Sequence, residues 1–453
     1  MLNYDKVISN SCFLYFDFFN EVVFINKVHG RGLSLTSKIF IGLISGLVFG
    51  IALSFSPPSF FKHDIMINGL LPLAGGLFLR AIKMLVVPLV FISIVSGACA
   101  MGDINKLGRI GFKIMTYYIL TTVFAISLAL AVGSIINPGR GFDLSGADKV
   151  EISDIKSRPF TDTLLEIIPA NPLKAMAGDE MLQVIFLALF TGLAMALSGE
   201  KSLPVVNFFN SANEIVMKMV IMVMHFAPYG VFALVAKTFA TAGIEALIPI
   251  LKFALGVLAA MLLHVIFIYG GMLFFIARLS PLRFFKKILP VAEVAFSTSS
   301  SNATLPFTIE TAVDRLGVSK NAASFTLPLG ATINMDGTAI MQGVAAIFIA
   351  QIYMIDLGMS AFLKIILTAT LASIGTAGVP GVGMITLSMV LQSVGLPLEG
   401  IGLIIGVDRI IDMLRTCVNV AGDLACTIVV AKSENEFDET VFNSEENEEE
   451  AGV

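Results

Sequence analysis

Apolar runs dominate this chain, and the polar residues that interrupt them recur at helical spacing. Runs at 39–55, 70–100, 110–136, 181–197, 203–239 and 247–276 are each long enough, or nearly so, to cross a bilayer as a helix. Pro57 and Pro58 end the first run, and Pro228 interrupts the fifth. Between the third and fourth runs, residues 137–180 are too polar and too rich in Pro and Gly to cross simply. From about residue 281 the pattern changes. FSTSSSNATLPFT (296–308) and ASIGTAGVPGVGMIT (372–386) are apolar stretches broken by Pro and by Ser/Thr- or Gly-rich centres. Such segments predict re-entrant hairpins whose tips line a wet cavity, because lipid cannot satisfy a non-helical backbone. Each is followed by a span with a polar interior: 327–353, which contains NMDGT at 334–338, and then GVDRIIDMLRTCVNVAGDLACTIVVAK at 406–432. A repeated order of hairpin and then helix, broken at matching places in two halves, points to a transport site near the bilayer midplane.

The last of these segments carries the most polar chemistry. Asp408, Asp412, Arg415, Thr416, Asn419 and Asp423 fall within an arc of roughly 100° at ~100° per residue. The other face reads Ile410, Ile411, Leu414, Val418, Leu424 and Val429, which suits lipid or a packed bundle. Intramembrane charges cost on the order of 2.5–3.5 kcal/mol each unless paired or wet. A whole polar stripe with both charge signs fits a binding site for a zwitterion or ion better than a single structural pair. In NMDGT, Asn334, Asp336 and Gly337 favour unwinding, which frees carbonyl oxygens beside a carboxylate, the donor set of a hard cation. Asp423 adds a second carboxylate. Tyr118, Thr121 and Thr122, on one turn of the third run, offer more oxygens.

Composition settles the class: 453 residues, 56% hydrophobic and 14% charged, with mean hydropathy +0.87, describe an all-α polytopic membrane protein. The net charge of −5 comes from the end of the chain, since nine acidic residues after Ser433 leave +4 for the remainder. That tail, 433–453, reads as disordered and solvated. Lys106, Arg109, Lys113, Arg278, Arg283, Lys286 and Lys287 mark cytoplasmic loops and place both termini inside. Cys12, Cys99, Cys417 and Cys426 have no metal or redox spacing, and the four histidines are scattered. The aromatic-rich stretch 1–35 lacks signal-peptide features and is assigned no role. Ser299–Ser301 has neither a neighbouring base nor a nucleophile elbow, so an enzyme is not expected. Its hydroxyls and half-helix amides suit an anionic substrate. No feature points to nucleic acid.

The set SSSNATLP, GATINMDGT, SIGTAGVPG and DMLRTCVNVAGD, in this order, resembles the glutamate transporter family of dicarboxylate/amino acid:cation symporters over residues 35–432. The resemblance implies eight spans, two re-entrant hairpins, inverted repeats, a homotrimer in the plasma (inner) membrane and elevator-type movement. Residues 36–280 would hold spans one to six, of which the third and sixth belong with the transport domain and the others form the scaffold. Residues 281–432 would be the transport core: hairpin 281–315, broken helix 322–354, hairpin 361–394 and polar helix 396–432. Asp412 would hold a substrate ammonium, with Asn419 and the Ser300 and Ser301 amides on its α-carboxylate. Arg415 and Thr338 would hold the side-chain carboxylate, with Thr416, Val379 and Gly383 completing the pocket. Three cation sites would use Asp423, Asn334, Asn419 and the Gly330 carbonyl; Asp336 with Tyr118, Thr121 and Thr122; and Thr332 with Ser373, Ile374 and Thr376.

Arg415 offers a planar fork for a carboxylate, and Asp412 requires a cationic partner, so together they favour L-aspartate or L-glutamate. The expectation is sodium-coupled symport, with protons as the alternative ion. A C4-dicarboxylate carrier and a substrate-gated anion channel are the rival readings. Relatives that place an additional Arg near this site do so where Ser299 and Met413 stand here. Asp408 is therefore expected to lack the arginine partner usual in the family, with Arg409 pointing to another face, and no potassium coupling is expected.

Overall fold

The computed structural model describes residues 35–100, 104–141, 167–178, 180–374, 378 and 380–444. The described residues form helices, with one isolated bridge between Val318 and Phe437. The first two apolar runs become α1 (Leu35–Phe55) and α2 (Leu71–Ala100), joined through a π-helical turn, Phe61–Leu70. α3 (Ile104–Ile136) starts earlier than hydropathy places it, because its first turns carry the basic residues that read as loop. α4 spans Met181–Leu197. The run containing Pro228 is two helices, α5 (Leu203–Met224) and α6 (Ala227–Ala242), with the proline in the first turn of α6, where its missing N–H leaves nothing unsatisfied. α7 (Leu247–Leu263) continues into π-helical stretches at His264–Tyr269 and Met272–Ile276.

The later half is built from shorter pieces. α8 (Leu289–Thr298) and α9 (Ser301–Glu310) make a hairpin that turns at Ser299, a residue held at φ 50°. Ser300 caps α9 by accepting the Ala303 N–H at 3.2 Å. The NMDGT span divides into α10 (Lys320–Ile333) and α11 (Asp336–Ile352), parted at Asn334 and Met335, whose dihedrals leave the helical region. α12 (Met359–Ser373) and α13 (Val382–Ser393) flank the Gly-rich turn, and α14 (Ile401–Ser433) is the polar helix.

Six helical runs among the described residues are long and apolar enough to cross a membrane, though their surroundings differ sharply. The most apolar window of α10–α11 is 100% buried and that of α14 83%, against 22% for α1. α10, α11 and α14 thus sit at the centre of the helix packing. Ile411, Val418, Leu424 and Val429 pack against protein, and only Ile410 on that face is well exposed. α1, α2, α4, α5 and α6 pack on one another, as do α3, α7 and α8–α14, and α12, α13 and α14 cross the seam between the two groups.

One sequence expectation is corrected at the C-terminus. Through Ser444 the tail is ordered, and it folds back on the base of the first hairpin. Asp438 N–H donates to Gly317 O at 2.7 Å, and Ser319 N–H donates to Glu436 O at 2.8 Å. Lys287 Nζ donates to the carbonyls of Arg315 and Val441, and Phe442 is fully buried. Glu434 pairs with Lys113 and Arg109 at the start of α3. Acidic composition reads as solvated, but it does not register Phe437 and Phe442, which supply an apolar anchor. The Lys113 and Arg109 donors hold the Glu434 carboxyl below its ordinary value. The contact is therefore kept above the ordinary glutamate range and lost only as the pH falls through that lowered value. Phe442→Ala is expected to loosen this clasp locally by about 3–5 kcal/mol. Amide hydrogen exchange should quicken at 311–319 and stay unchanged in α11. Unchanged exchange at 311–319 would show that Phe442 does not hold the tail against the hairpin base.

Candidate functional site

The two hairpin turns and the α10–α11 break converge on the polar face of α14. The Ser300 hydroxyl donates to Gly378 O at 2.6 Å, and Asn302 N–H reaches the same oxygen at 3.2 Å, so the turns touch directly. A Cβ at Gly378 would sit 2.7 Å from Ala331 O and 3.0 Å from Ser301 Cβ, which is why the approach needs glycine. The cavity that results spans about 280 Å3 of atom-free space, part of it open to the outside. Ser299 and Ser301 line it from the first turn, and Gly378, Val382 and Gly383 from the second. Met335 and Thr338 face it from the break, and Asp412, Arg415, Thr416 and Asn419 from α14.

Charge is concentrated on one wall. Arg415 Nη2 pairs with Asp412 Oδ1, and its Nη1 lies 3.7 Å from Asp408 Oδ1. Arg415 Nη1 makes no hydrogen bond although it is buried, so the guanidinium has donor capacity for a ligand. The second Asp412 oxygen accepts Gly381 N–H at 3.3 Å and lies 3.4 Å from Arg409 Nη1. One expectation is corrected here: Arg409 turns toward Asp412 rather than away, while Asp408 has Arg415 beside it. Position three residues before Asp412 on a helix brings Arg409 within reach of its carboxylate despite lying off the main stripe.

A Cβ on Gly383 would collide with the Arg415 guanidinium. Gly383→Ala is therefore expected to displace that group and weaken carboxylate binding by about tenfold or more, roughly 1.4 kcal/mol. Equilibrium binding of L-aspartate to the purified protein checks this. An unchanged affinity would show that Arg415 does not need its present position.

Behind this wall lie the proposed cation ligands, and the structure groups them unevenly. Asn334 Nδ2 donates to Asp423 Oδ1 at 2.9 Å, and a Cβ on Gly330 would meet Asp423 Oδ1 at 2.5 Å. Asn419 Oδ1 accepts Gly337 N–H at 2.8 Å, tying α14 to the break. Asn334, Asp423 and Gly330 of the first set thus lie side by side, with Gly330 O accepting the Asn334 N–H at 2.9 Å. In the second set, Thr122 Oγ1 donates to Asp336 Oδ1 at 2.6 Å. Tyr118, however, donates to Thr326 O at 3.1 Å, and Thr121 turns to Tyr118 O and Asn334 Oδ1. In the third set, Thr332 and Ser373 spend their hydroxyls on their own helices, and Ile374 ends α12 in an extended conformation. Thr376 and Val379 lie outside the described residues. Thr416 donates to Asp412 O at 2.9 Å while facing the cavity.

Sequence reasoning missed His264 and Tyr269. Tyr269 OH donates to Asp336 Oδ2 at 2.8 Å, and His264 Nε2 lies 3.2 Å from the same oxygen. Both side chains are fully buried. Five residues apart, they would diverge by ~140° on an α-helix. The π-helical stretch His264–Tyr269 instead brings residues five apart onto one face. A histidine inside an apolar span was the available signal. Gly422 gives them room, since a Cβ there would collide with Tyr269 Oη.

Comparison with known proteins gives the family. The profile of the sodium:dicarboxylate symporter family matches residues 35–433. The chain is 36% identical over 419 residues to the proton/sodium-glutamate symport protein of Bacillus caldotenax, covering 90% of this chain and 96% of that protein. It is 38% identical over 418 residues to the proton/glutamate-aspartate symporter of Escherichia coli (strain K12), covering 89% and 94% respectively. It is 33% identical over 420 residues to the C4-dicarboxylate transport protein of Bacillus subtilis (strain 168), covering 90% and 96%. With its apolar helices, its paired helical hairpins and a match along nearly the whole chain, this protein belongs to the sodium:dicarboxylate symporter family, a family of transporters and not of enzymes.

Proposed function

We propose that the protein takes up L-aspartate or L-glutamate by symport with sodium ions. The observation that carries this reading is one cavity faced by both Asp412 and Arg415. The substrate ammonium would replace Arg415 as the partner of Asp412, and the freed guanidinium would take the side-chain carboxylate with help from Thr338. Asn419 and the amides at Ser300 and Ser301, the start of α9, would hold the α-carboxylate. Sodium would bind between Asp423, Asn334 and the Gly330 carbonyl, around Asp336 with Thr122 nearby, and among Thr332, Ser373, Ile374 and Thr376. Eight spans and two re-entrant hairpins, assembled as a homotrimer, would carry α3 and α7–α14 as an elevator against the α1, α2 and α4–α6 scaffold. Both termini would face the cytoplasm. Each net positive charge moving inward gains ~2.3 kcal/mol per 100 mV, which drives accumulation of an anionic substrate.

Protons are the second reading for the coupling ion, favoured by the buried pairing of Asp336 with His264. Titration calorimetry on the purified protein tests the site. L-Aspartate is expected to bind in sodium salts and to bind much more weakly in choline salts, with L-serine weaker than L-aspartate in both. Equal affinity for L-serine and L-aspartate would overturn the assignment of Arg415.

A further inference from the structure

Three fully buried side chains meet the carboxylate of Asp336 at the start of α11. Thr122, on α3, donates to Oδ1 at 2.6 Å. Tyr269 OH donates to Oδ2 at 2.8 Å, and His264 Nε2 lies 3.2 Å from the same oxygen. With its proton on Nε2, the imidazole is the second donor to Oδ2. His264 Nδ1 has no partner, so the contact with Asp336 is the ring's one hydrogen bond among the described residues.

The two carboxylate oxygens are therefore held differently. Both donors to Oδ2 come from one π-helical turn, and their rings touch edge to face with centroids 4.7 Å apart. In a close-packed interior neither ring swings aside without displacing the other. A Cβ on Gly422 would lie 2.3 Å from Tyr269 Oη and 2.7 Å from Asn334 Nδ2, so the hydroxyl fills the space between the Asp336 set and the Asn334–Asp423 set. Each carboxylate oxygen has about two lone-pair positions, and two donors occupy those of Oδ2. Oδ1 meets a hydroxyl, which can turn its hydrogen away and present its own oxygen to a hard cation.

We propose that Tyr269 and His264 are positioning residues for the co-transported cation, holding Oδ2 of Asp336 so that Oδ1 faces the ion before it arrives. The inference rests on the reading of Asp336 as a cation ligand and goes beyond it, because neither residue itself ligates the ion. Preorganisation of this kind spares the ion the cost of ordering the carboxylate on binding. Loss of either donor frees the carboxylate to turn. The effect should consequently fall on the cation requirement and not on the Asp412–Arg415 wall, a split that a general loss of packing does not produce.

The test is calorimetric binding of L-aspartate to the full-length purified protein as sodium chloride replaces choline chloride at constant ionic strength. Tyr269→Phe removes only the hydroxyl and is expected to raise the sodium concentration for half-maximal binding about tenfold, with affinity at saturating sodium falling far less. On a background of Asp336→Asn, the same substitution should add less than about twofold, since its effect passes through that carboxylate. His264→Leu should raise the sodium requirement as well, and His264→Gln, which keeps a donor, should recover part of it. An unchanged requirement in Tyr269→Phe overturns the proposal, and so does a loss that persists at saturating sodium or adds in full to that of Asp336→Asn. Should Tyr269→Phe not fold, the two His264 variants decide, and equal losses in both overturn the proposal. Sodium-independent binding of L-aspartate by the parent would instead overturn the sodium reading, and the positioning role with it.

Discussion

Arg415→Ala is expected to weaken L-aspartate binding by about 30- to 4,000-fold, the effect of truncating one partner of a buried charge pair, about 2–5 kcal/mol. The residue is buried, pairs with Asp412 and approaches Asp408, and its Nη1 has no hydrogen-bond partner. Two consequences follow from its removal. The ligand loses a planar fork for its side-chain carboxylate. The buried Asp412 and the partly buried Asp408 also lose their shared guanidinium, so thermal stability should fall with affinity. Affinity for L-serine should fall much less than affinity for L-aspartate, and that difference separates a lost contact from a damaged fold. Calorimetry with both ligands measures it. Equal losses would mean that Arg415 supports the fold and does not read the substrate.

Asp336→Asn is expected to raise the cation concentration for half-maximal L-aspartate binding by roughly 10- to 150-fold, corresponding to about 1.5–3 kcal/mol for interactions with a charged group. Asp336 opens α11 directly after the break and has no exposed surface. Thr122 and Tyr269 donate to it, with His264 adjacent. An amide keeps much of the shape but removes the negative charge that a hard cation requires. The same substitution leaves the Asp412–Arg415 wall intact, so affinity at saturating cation should change little. A half-saturation value equal to that of the parent would assign Asp336 to the scaffold of donors around it and not to the cation path.

Much of the site was legible because its chemistry is local in sequence. Asp412, Arg415, Thr416, Asn419 and Asp423 lie on one helix, and a 3.6-residue period alone puts them on one face. The break at Asn334 and Met335 was legible for a similar reason, since the residues that favour unwinding are adjacent. What depended on departures from regular geometry was not. His264 and Tyr269 meet at Asp336 through a π-helical turn, and an α-helical projection sends them apart. Arg409 lies off the stripe, yet its long side chain reaches Asp412, which a Cα-based projection does not register. The bends within the membrane-spanning runs were marked by Pro228, but the ordered tail was obscured by its acidity. There Phe437 and Phe442 outweigh the charges around them.

Coupled uptake through this cavity is tested most directly by labelled L-aspartate uptake into proteoliposomes. An inward sodium gradient, an inward proton gradient and no gradient are compared at a fixed membrane potential. Accumulation of L-aspartate above the external concentration under the sodium gradient, and equilibration or less under the other two conditions, is the predicted result. Accumulation under the proton gradient alone would contradict sodium coupling and move Asp336 and Asp423 to a proton path. Simple equilibration under every condition would contradict secondary active transport altogether.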